Sequence, residues 1–172
     1  MEINYWTQRF QSIYESGLEK YRSGQRGAET FFDSAQTEFL ASIGLKPIHV
    51  YDYVEDFLGV GEPDWNTVLL IVAARRDYFI HEMKEKWSAE IIRSADLPPK
   101  SEAYEGIDWL PRIIQKAKAF LEGALPPETM YSCGGDRKFL KTNNVHPADF
   151  LRVVWATQGD ARKLADYLVK LR

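Results

Sequence analysis

The sequence has one cysteine, no long apolar segment and no excess of basic residues, and each absence excludes a class of protein. A single cysteine excludes an internal disulfide framework and a cysteine-rich zinc site. The longest apolar run, residues 68–74, has 7 residues, whereas a membrane-spanning helix needs about 20. Residues 1–6 lack the basic start and apolar stretch of a signal peptide. We therefore expect a cytoplasmic, soluble protein with no membrane partner.

The charge balance disfavours nucleic acid as a partner. The 22 basic and 25 acidic residues give a net charge of −3. Residues 1–87 carry 9 basic and 14 acidic residues (net −5), and residues 88–172 carry 13 and 11 (net +2). Neutralisation of phosphates by basic side chains supplies most of the affinity for nucleic acid, and neither half is basic enough to provide it.

The spacing of apolar residues predicts helices along almost the whole chain. In the first segment they recur at steps of three and four, as on one face of an amphipathic helix: Trp6, Phe10, Ile13, Tyr14, Leu18 and Tyr21. Residues that favour helix starts predict the further helices: Asp33 or Ser34, Pro47, Asp64, Asp108, Asp136, Pro147 and Asp160. No segment alternates with a period of two, so we predict an all-α fold.

The two halves of the chain share residues at a constant spacing. Phe39-Leu40, Pro47 and Val54 return 100 positions later, as Phe139-Leu140, Pro147 and Val154. Such a spacing is typical of an internal repeat. We predict a helical bundle of two fused, related helical repeats packed as one compact body. The divergent N-terminal repeat covers residues 1–87, the connector with its prolines residues 88–105, and the C-terminal repeat residues 106–172.

The C-terminal repeat resembles a known bacterial family. Trp109-Leu110-Pro111-Arg112 opens a helix whose next turn carries Lys116-Ala117. With residues 136–140 and 147–151, this element is similar to the family catalogued as domain of unknown function 5069, and the similarity covers residues 106–168. The N-terminal half resembles a more divergent extension of the same family. The resemblance implies a small α-helical bacterial protein, and it implies no activity.

The most specific local feature is the turn Cys133-Gly134-Gly135-Asp136. Two glycines before a helix let backbone N–H groups converge on a phosphate or carboxylate, and a thiol at a helix N-terminus is a better nucleophile. Cys133 and His146 are therefore the candidate catalytic nucleophile and base, and Gly134, Gly135 and Asp136 are candidate ligand-binding residues. The structural alternative is a tight turn with a buried cysteine, in which Asp136 caps the helix and would itself repel an anion.

Three arginines complete the candidate ligand-binding set: Arg75, Arg76 and Arg112. Neighbouring helical residues face about 100° apart, so one of Arg75 and Arg76 can point inward. An inward arginine needs a carboxylate, and Asp108 and Asp136 are the candidates. The functional interpretation is bidentate capture of an anionic ligand, and the structural alternative is a salt bridge between the repeats.

We predict no metal site and no cofactor. Two trios share single helix faces: His49, Asp52 and Asp56, and Asp77, His81 and Glu85. Neither trio matches a Glu-x-x-His or His-Glu-x-x-His pattern, and such residues also occupy any solvated helix face.

No complete nucleophile–base or acid–base set can be assembled from the sequence, which disfavours an enzyme. We predict a non-enzymatic binding or interaction protein, able to form a homo-oligomer, with an aromatic-lined groove between the repeats and a protein or small anionic ligand as partner. The alternative is an enzyme or small-anion binder that works at residues 133–136 with help from Arg76, Arg112 or His146.

Overall fold

The computed structural model describes residues 5–171, so residues 1–4, inspected above for a signal peptide, and residue 172 lie outside the described part. The described residues form nine α-helices: α1 (Trp6–Arg22), α2 (Ala28–Phe31), α3 (Ser34–Ser42), α4 (Pro47–Val60), α5 (Trp65–His81), α6 (Leu110–Leu121), α7 (Gly134–Thr142), α8 (Pro147–Thr157) and α9 (Ala161–Leu171). The one sheet in this range is a short antiparallel hairpin of β1 (Ala103–Tyr104) and β2 (Ile107–Asp108). The all-α prediction is confirmed.

Most helix starts follow from local side-chain chemistry. Asp33 accepts a hydrogen bond from the backbone N–H of Gln36, whose side chain accepts one from Asp33 N in return. Asp64 and Asp160 each accept a hydrogen bond from the backbone N–H three residues ahead, at the starts of α5 and α9. Pro47 and Pro147 begin α4 and α8, where a proline leaves no intrahelical hydrogen bond unmade. These predicted starts are confirmed.

The predicted start at Asp108 is wrong, because the chain before α6 is extended. Glu105 and Gly106 both have positive φ and form the turn between β1 and β2. The backbone N–H of Trp109 then donates to Glu102 O at 3.1 Å, which continues the hairpin. Trp109, with φ of 73°, occupies the N-cap position of α6. The apolar pattern of the sequence predicts neither this hairpin nor α2.

Internal contacts divide the described residues into two units, one up to Val72 and one from Ala73 onwards. The boundary falls within α5, rather than in the predicted connector at residues 88–105. The physical reason lies in the C-terminal half of α5, where Phe79 packs its ring against Trp87 of the second unit at 5.3 Å. The proline segment is therefore a part of the second unit.

Each unit has its own apolar core. In the first unit, α1 packs on α4, and the rings of Phe10 and Tyr14 lie 5.4 and 5.2 Å from that of Trp65. In the second unit, α6 packs on α8 and α9, and the fully buried residues on these helices are Leu110, Ile113, Ala117, Ala148, Phe150, Leu151, Leu164 and Leu168. Among residues 5–171, no helix is both long enough and apolar enough to cross a bilayer.

Two pairs of helices begin at the predicted spacing of 100 residues. Ser34 and Gly134 begin α3 and α7, and Pro47 and Pro147 begin α4 and α8. The helix ends also match, since Leu45 N donates to Leu40 O at 2.9 Å and Val145 N to Leu140 O at 3.0 Å. Two pairs of helix starts therefore keep this spacing, and the duplication itself stays a prediction. That the two backbones superpose stays a prediction.

Candidate functional site

The Cys-Gly-Gly-Asp turn forms the beginning of α7. Cys133 occupies the N-cap position, and Gly134 and Gly135 are the first two helical residues. Asp136 therefore lies inside the first turn, and the prediction that it is the N-cap is wrong. The helix begins earlier than predicted because both glycines have helical backbone geometry, without the positive φ expected of a glycine turn.

Asp136 is fully buried and is held by three donors. Lys116 Nζ of α6 lies 2.5 Å from Asp136 Oδ2, and the backbone N–H of Ser132 donates to the same oxygen at 3.0 Å. Trp109 Nε1 donates to Asp136 Oδ1 at 2.9 Å. Such donors are what a buried carboxylate requires. The carboxylate at the start of α7 is thus neutralised within the protein.

Sequence reasoning missed Lys116, although a signal for it exists. Ile113 and Phe120 lie three residues before and four residues after it, and both are buried. A lysine at that helical spacing lies on or beside the apolar face of α6. Lys116 is only 2% exposed, and a lysine buried to that degree needs an anionic partner.

The two glycines have different roles. A Cβ atom at Gly135 would lie 2.7 Å from Cζ2 of Trp109, so this position has no room for a side chain. At Gly134 the nearest atom to an added Cβ is Arg137 Nη2, at 3.8 Å, which is an ordinary contact. Gly135 therefore lets Trp109 approach the helix closely enough to reach Asp136.

Cys133 and His146 do not form the predicted nucleophile–base pair. Cys133 is partly buried, and Lys116 Nζ donates to its Sγ at 3.3 Å. His146 lies at the N-cap of α8, where its Nδ1 accepts a hydrogen bond from Ala148 N at 3.1 Å. Within residues 5–171, no hydrogen bond joins Cys133 to His146. The charged partner of the thiol is therefore a lysine.

Arg75 points inward, as one of the two neighbouring arginines was expected to do. It is fully buried, with its guanidinium carbon 5.3 Å from the ring of Phe79 and 5.5 Å from that of Trp87. Nη1 donates to Met83 Sδ at 3.5 Å, while Nε and Nη2 have no hydrogen-bond partner. Burial lowers the pKa of Arg75 to about 10, and nearby Tyr78 opposes this shift. The side chain thus remains charged at neutral pH.

The predicted carboxylate partners of Arg75 are wrong. Asp136 is paired with Lys116, and Asp108 lies exposed in β2. Aromatic rings take the place of a carboxylate, since a ring face attracts a cation.

Arg76 and Arg112 lie in other surroundings. Arg76 Nη1 is 4.0 Å from the carboxylate of Asp77, its neighbour on α5. Arg112 Nη1 donates to the carbonyl oxygen of Pro98 at 2.8 Å, which holds the proline segment against α6. The contacts of Arg75 and Arg112 therefore lie outside residues 133–136.

The two histidine–carboxylate trios do not form a metal site. His49 is buried, and its Nδ1 accepts a hydrogen bond from Lys46 N at 3.2 Å, which helps to begin α4. In the described part of the chain, no group of three or more His, Cys, Asp or Glu side chains is placed to hold a metal ion.

A second candidate site is a pocket of about 430 Å³ in the second unit, where the C-terminal ends of α5, α6 and α8 meet. Its lining residues are Tyr78, Glu82, Lys118, Leu121, Glu122, Val154, Trp155, Ala156 and Gln158. We call it the α5–α6–α8 pocket. Tyr78 and Trp155 are only half-buried and line this pocket.

The aromatic wall of the pocket has a fixed geometry. The rings of Tyr78 and Trp155 lie 5.4 Å apart at an angle of 73°. Trp155 Nε1 donates to Glu82 Oε1 at 3.2 Å. The stem of Lys118, another lining residue, packs against Gly159, where an added Cβ would lie 2.6 Å from Lys118 Cδ. The rings are thus held in place while remaining partly open to solvent.

The charges around Tyr78 are mainly negative. The pKa of Tyr78 is raised, first by burial and then by the carboxylates of Glu122 and Glu82, while the cation of Arg75 partly offsets this effect. Two acidic side chains close to the phenol disfavour a further negative charge there.

Chemistry-bearing side chains converge at the turn that begins α7 and in the α5–α6–α8 pocket. In the turn they contact one another, and in the pocket they face open space. Comparisons of the chain with protein-family models, with curated proteins and with solved structures found no match.

Proposed function

We propose that the chain is a non-enzymatic binding protein whose ligand occupies the α5–α6–α8 pocket. The observation that carries this proposal is the pair of half-buried rings, Tyr78 and Trp155, beside the carboxylate of Glu82 in a cavity of about 430 Å³. Pockets for small ligands commonly measure 300–1,000 Å³ and combine aromatic walls with a few polar groups.

The contacts at α7 support binding over catalysis. General base catalysis requires the base to lie within hydrogen-bond reach of the nucleophile. In the described residues His146 makes no hydrogen bond to Cys133, and its Nδ1 instead accepts one from Ala148 N at the start of α8. The resemblance of residues 106–168 to domain of unknown function 5069 stays a prediction. It implies no activity, and so it does not favour an enzyme.

The alternative of an anion-binding turn is weaker than the pocket. Two donors at this turn, Lys116 Nζ and the backbone N–H of Ser132, already donate to Asp136. An added phosphate would have to displace this buried carboxylate or lie beside it, at a cost in charge repulsion.

One observation favours a reactive thiol as a second candidate function. Lys116 Nζ lies 3.3 Å from Cys133 Sγ, and a neighbouring cation promotes thiol reactivity. Because Cys133 is the one cysteine of the sequence, alkylation by iodoacetamide reports on it alone. A rate at pH 7 well above that of glutathione, lost in Lys116→Met, would support this candidate. A rate equal to that of glutathione would exclude it.

A thermal-shift screen tests the binding proposal. The compounds are metal ions, nucleotides, organic amines, and phosphorylated and carboxylated metabolites. A ligand present at 100 times its Kd adds about 2.7 kcal/mol to the free energy of unfolding, which gives a measurable rise in Tm. Ala156 is exposed and lines the pocket, so Ala156→Phe should fill the cavity, preserve the fold and abolish the rise.

The matched control is Ala35→Phe, which adds the same ring to an exposed helical alanine of the first unit. This variant should keep the ligand-induced rise in Tm. A screen without any response, or a response that survives in Ala156→Phe, would contradict the proposed function.

A further inference from the structure

We infer that the α5–α6–α8 pocket selects a monovalent organic cation, an ammonium group attached to an apolar body. The inference rests on the proposed function, because it names the ligand class of the same pocket. It follows from three features of the lining: its net charge, the unused acceptors of its carboxylates, and the orientation of its rings.

The first feature is charge. The ionisable carboxylates and ammonium groups of the lining are Glu82, Glu122 and Lys118, which together carry a net charge of −1. The cation of Arg75 is not part of the lining, and at Tyr78 it only partly offsets the effect of Glu122 and Glu82. One cationic ligand therefore makes the occupied pocket neutral, whereas an anion would raise its charge to −2. Charge complementarity of this kind sets ligand selectivity more than the number of contacts does.

The second feature is acceptor capacity. Glu82 uses Oε1 to accept the hydrogen bond from Trp155. Within residues 5–171, its Oε2 and the carboxylate of Glu122 make no hydrogen bond or ion pair with the protein. A carboxylate has about four acceptor positions, so both groups can receive a ligand N–H or lie against a quaternary ammonium.

The third feature is the pair of rings. The face of an aromatic ring attracts a cation, and indole does so most strongly. The hydrogen bond to Glu82 fixes the indole of Trp155, and the angle of 73° to Tyr78 makes the two rings adjacent walls. Ring faces bordered by carboxylates are the surroundings in which ammonium groups are recognised. The raised pKa of Tyr78 agrees with a negative potential at this wall.

Choline and its neutral isostere, 3,3-dimethyl-1-butanol, separate charge from shape. Both are titrated into the full chain, and binding is followed through the ¹⁵N–¹H signal of the Trp155 indole, which Trp155→Phe assigns. We expect choline to shift this signal saturably and the isostere to bind at least about fivefold more weakly, as the loss of one cation–π contact predicts.

Three variants test the source of the preference. Glu82→Gln retains an oxygen acceptor for Trp155 but loses the charge, and Glu122→Gln loses a charge that has no protein partner. Each should weaken choline about fivefold and leave the isostere unchanged. Glu102→Gln is the matched control, since Glu102 is an exposed glutamate of the same unit outside the pocket lining. It should bind both probes like the unmodified chain.

The outcomes separate this inference from the proposed function. Equal binding of the two probes, or choline affinity unchanged in both glutamine variants, overturns the cation inference and leaves the pocket as a binding site. The same conclusion follows if choline and the screened organic amines fail to bind while an anionic or neutral compound binds and Ala156→Phe abolishes that binding. No Trp155 response to any compound overturns both.

Discussion

Lys116 of α6 and Asp136 of α7 form an ion pair that water barely reaches, with the lysine side chain 3% and the aspartate side chain 0% exposed. The pair links the middle of one helix to the beginning of another within the second unit. A buried pair of this kind often adds little net stability over an apolar pair, but removal of one partner leaves a buried charge uncompensated. The two residues therefore depend on each other.

The first prediction concerns Lys116→Met. This change keeps much of the side-chain volume and leaves the Asp136 charge without its cation, so the free energy of unfolding should fall by about 3–5 kcal/mol. Urea denaturation measures the loss. The control is Arg93→Met, which removes the cation of the fully exposed Arg93–Asp96 pair and should change stability little. Equal effects of the two changes would contradict the assigned role of Lys116.

The second prediction compares the neighbouring glycines of α7. Alanine at 135 would place its Cβ 2.7 Å from Trp109, so Gly135→Ala should displace the indole and lower the free energy of unfolding by about 1–3 kcal/mol. Gly134→Ala has room, and alanine is the better helix former, so it should be neutral or stabilise by up to about 1 kcal/mol. Denaturation curves and the indole signal of Trp109 report both effects. If Gly134→Ala were less stable than Gly135→Ala, the packing of Trp109 would not depend on the absence of a side chain at position 135.

The third prediction concerns the buried cation of Arg75. Its Nε and Nη2 atoms have no hydrogen-bond partner, so Arg75→Met should leave the free energy of unfolding unchanged or raise it by up to about 2 kcal/mol. Arg75→Ala should instead lower it by about 2–4 kcal/mol, because it leaves a cavity beside Phe79 and Trp87. Thermal unfolding of both variants is the measurement. A methionine variant as unstable as the alanine variant would show that the charge itself is required.

The fourth prediction concerns pH and Asp52 of α4. Burial, with the neighbouring carboxylates of Glu55 and Asp56, raises the pKa of Asp52 to about 7. The folded state thus holds a proton that the unfolded state releases near pH 4. The stabilisation from this proton is complete below about pH 4 and is lost as the pH rises towards 7.

Asp52→Asn should remove this dependence and raise the free energy of unfolding at pH 8 by on the order of 1–2 kcal/mol, a figure reduced for the partial exposure of the side chain. Urea denaturation at pH 5 and pH 8 measures it. Glu38→Gln, at an exposed position of α3, should retain the pH profile of the unmodified chain. If the free energy of unfolding of Asp52→Asn changed with pH as that of the unmodified chain does, the pH dependence would not arise from Asp52.

Local signals were sufficient to predict most of the fold. Asp33, Asp64 and Asp160 cap helices through the backbone N–H three residues ahead, so their effect is contained in a few consecutive residues. The start of α6 depends instead on a hydrogen bond from Trp109 to Glu102 within the hairpin. The apolar pattern carries no information on that turn, and the helix start was misplaced for this reason.

The candidate sites depend on contacts between distant residues, which a single sequence does not reveal. The turn at Cys133 could be found from its unusual composition. Its interpretation as an anion site changes because Lys116, 20 positions before Asp136, already binds the Asp136 carboxylate. The pocket requires Trp155 to meet Glu82 across 73 positions. An aromatic residue at helical spacing gives no sign of whether its exposed edge faces solvent or a cavity.

The position of the unit boundary within α5 determines how the protein can be dissected. A fragment that ends at Val72 would retain 8 residues of the helix, about two turns, and its last carbonyl groups would lose their intrahelical donors. A fragment that begins at Ala73 would expose four N–H groups at a point with no cap. Separately expressed halves should therefore each contain all of Trp65–His81, because this helix supplies residues to both cores.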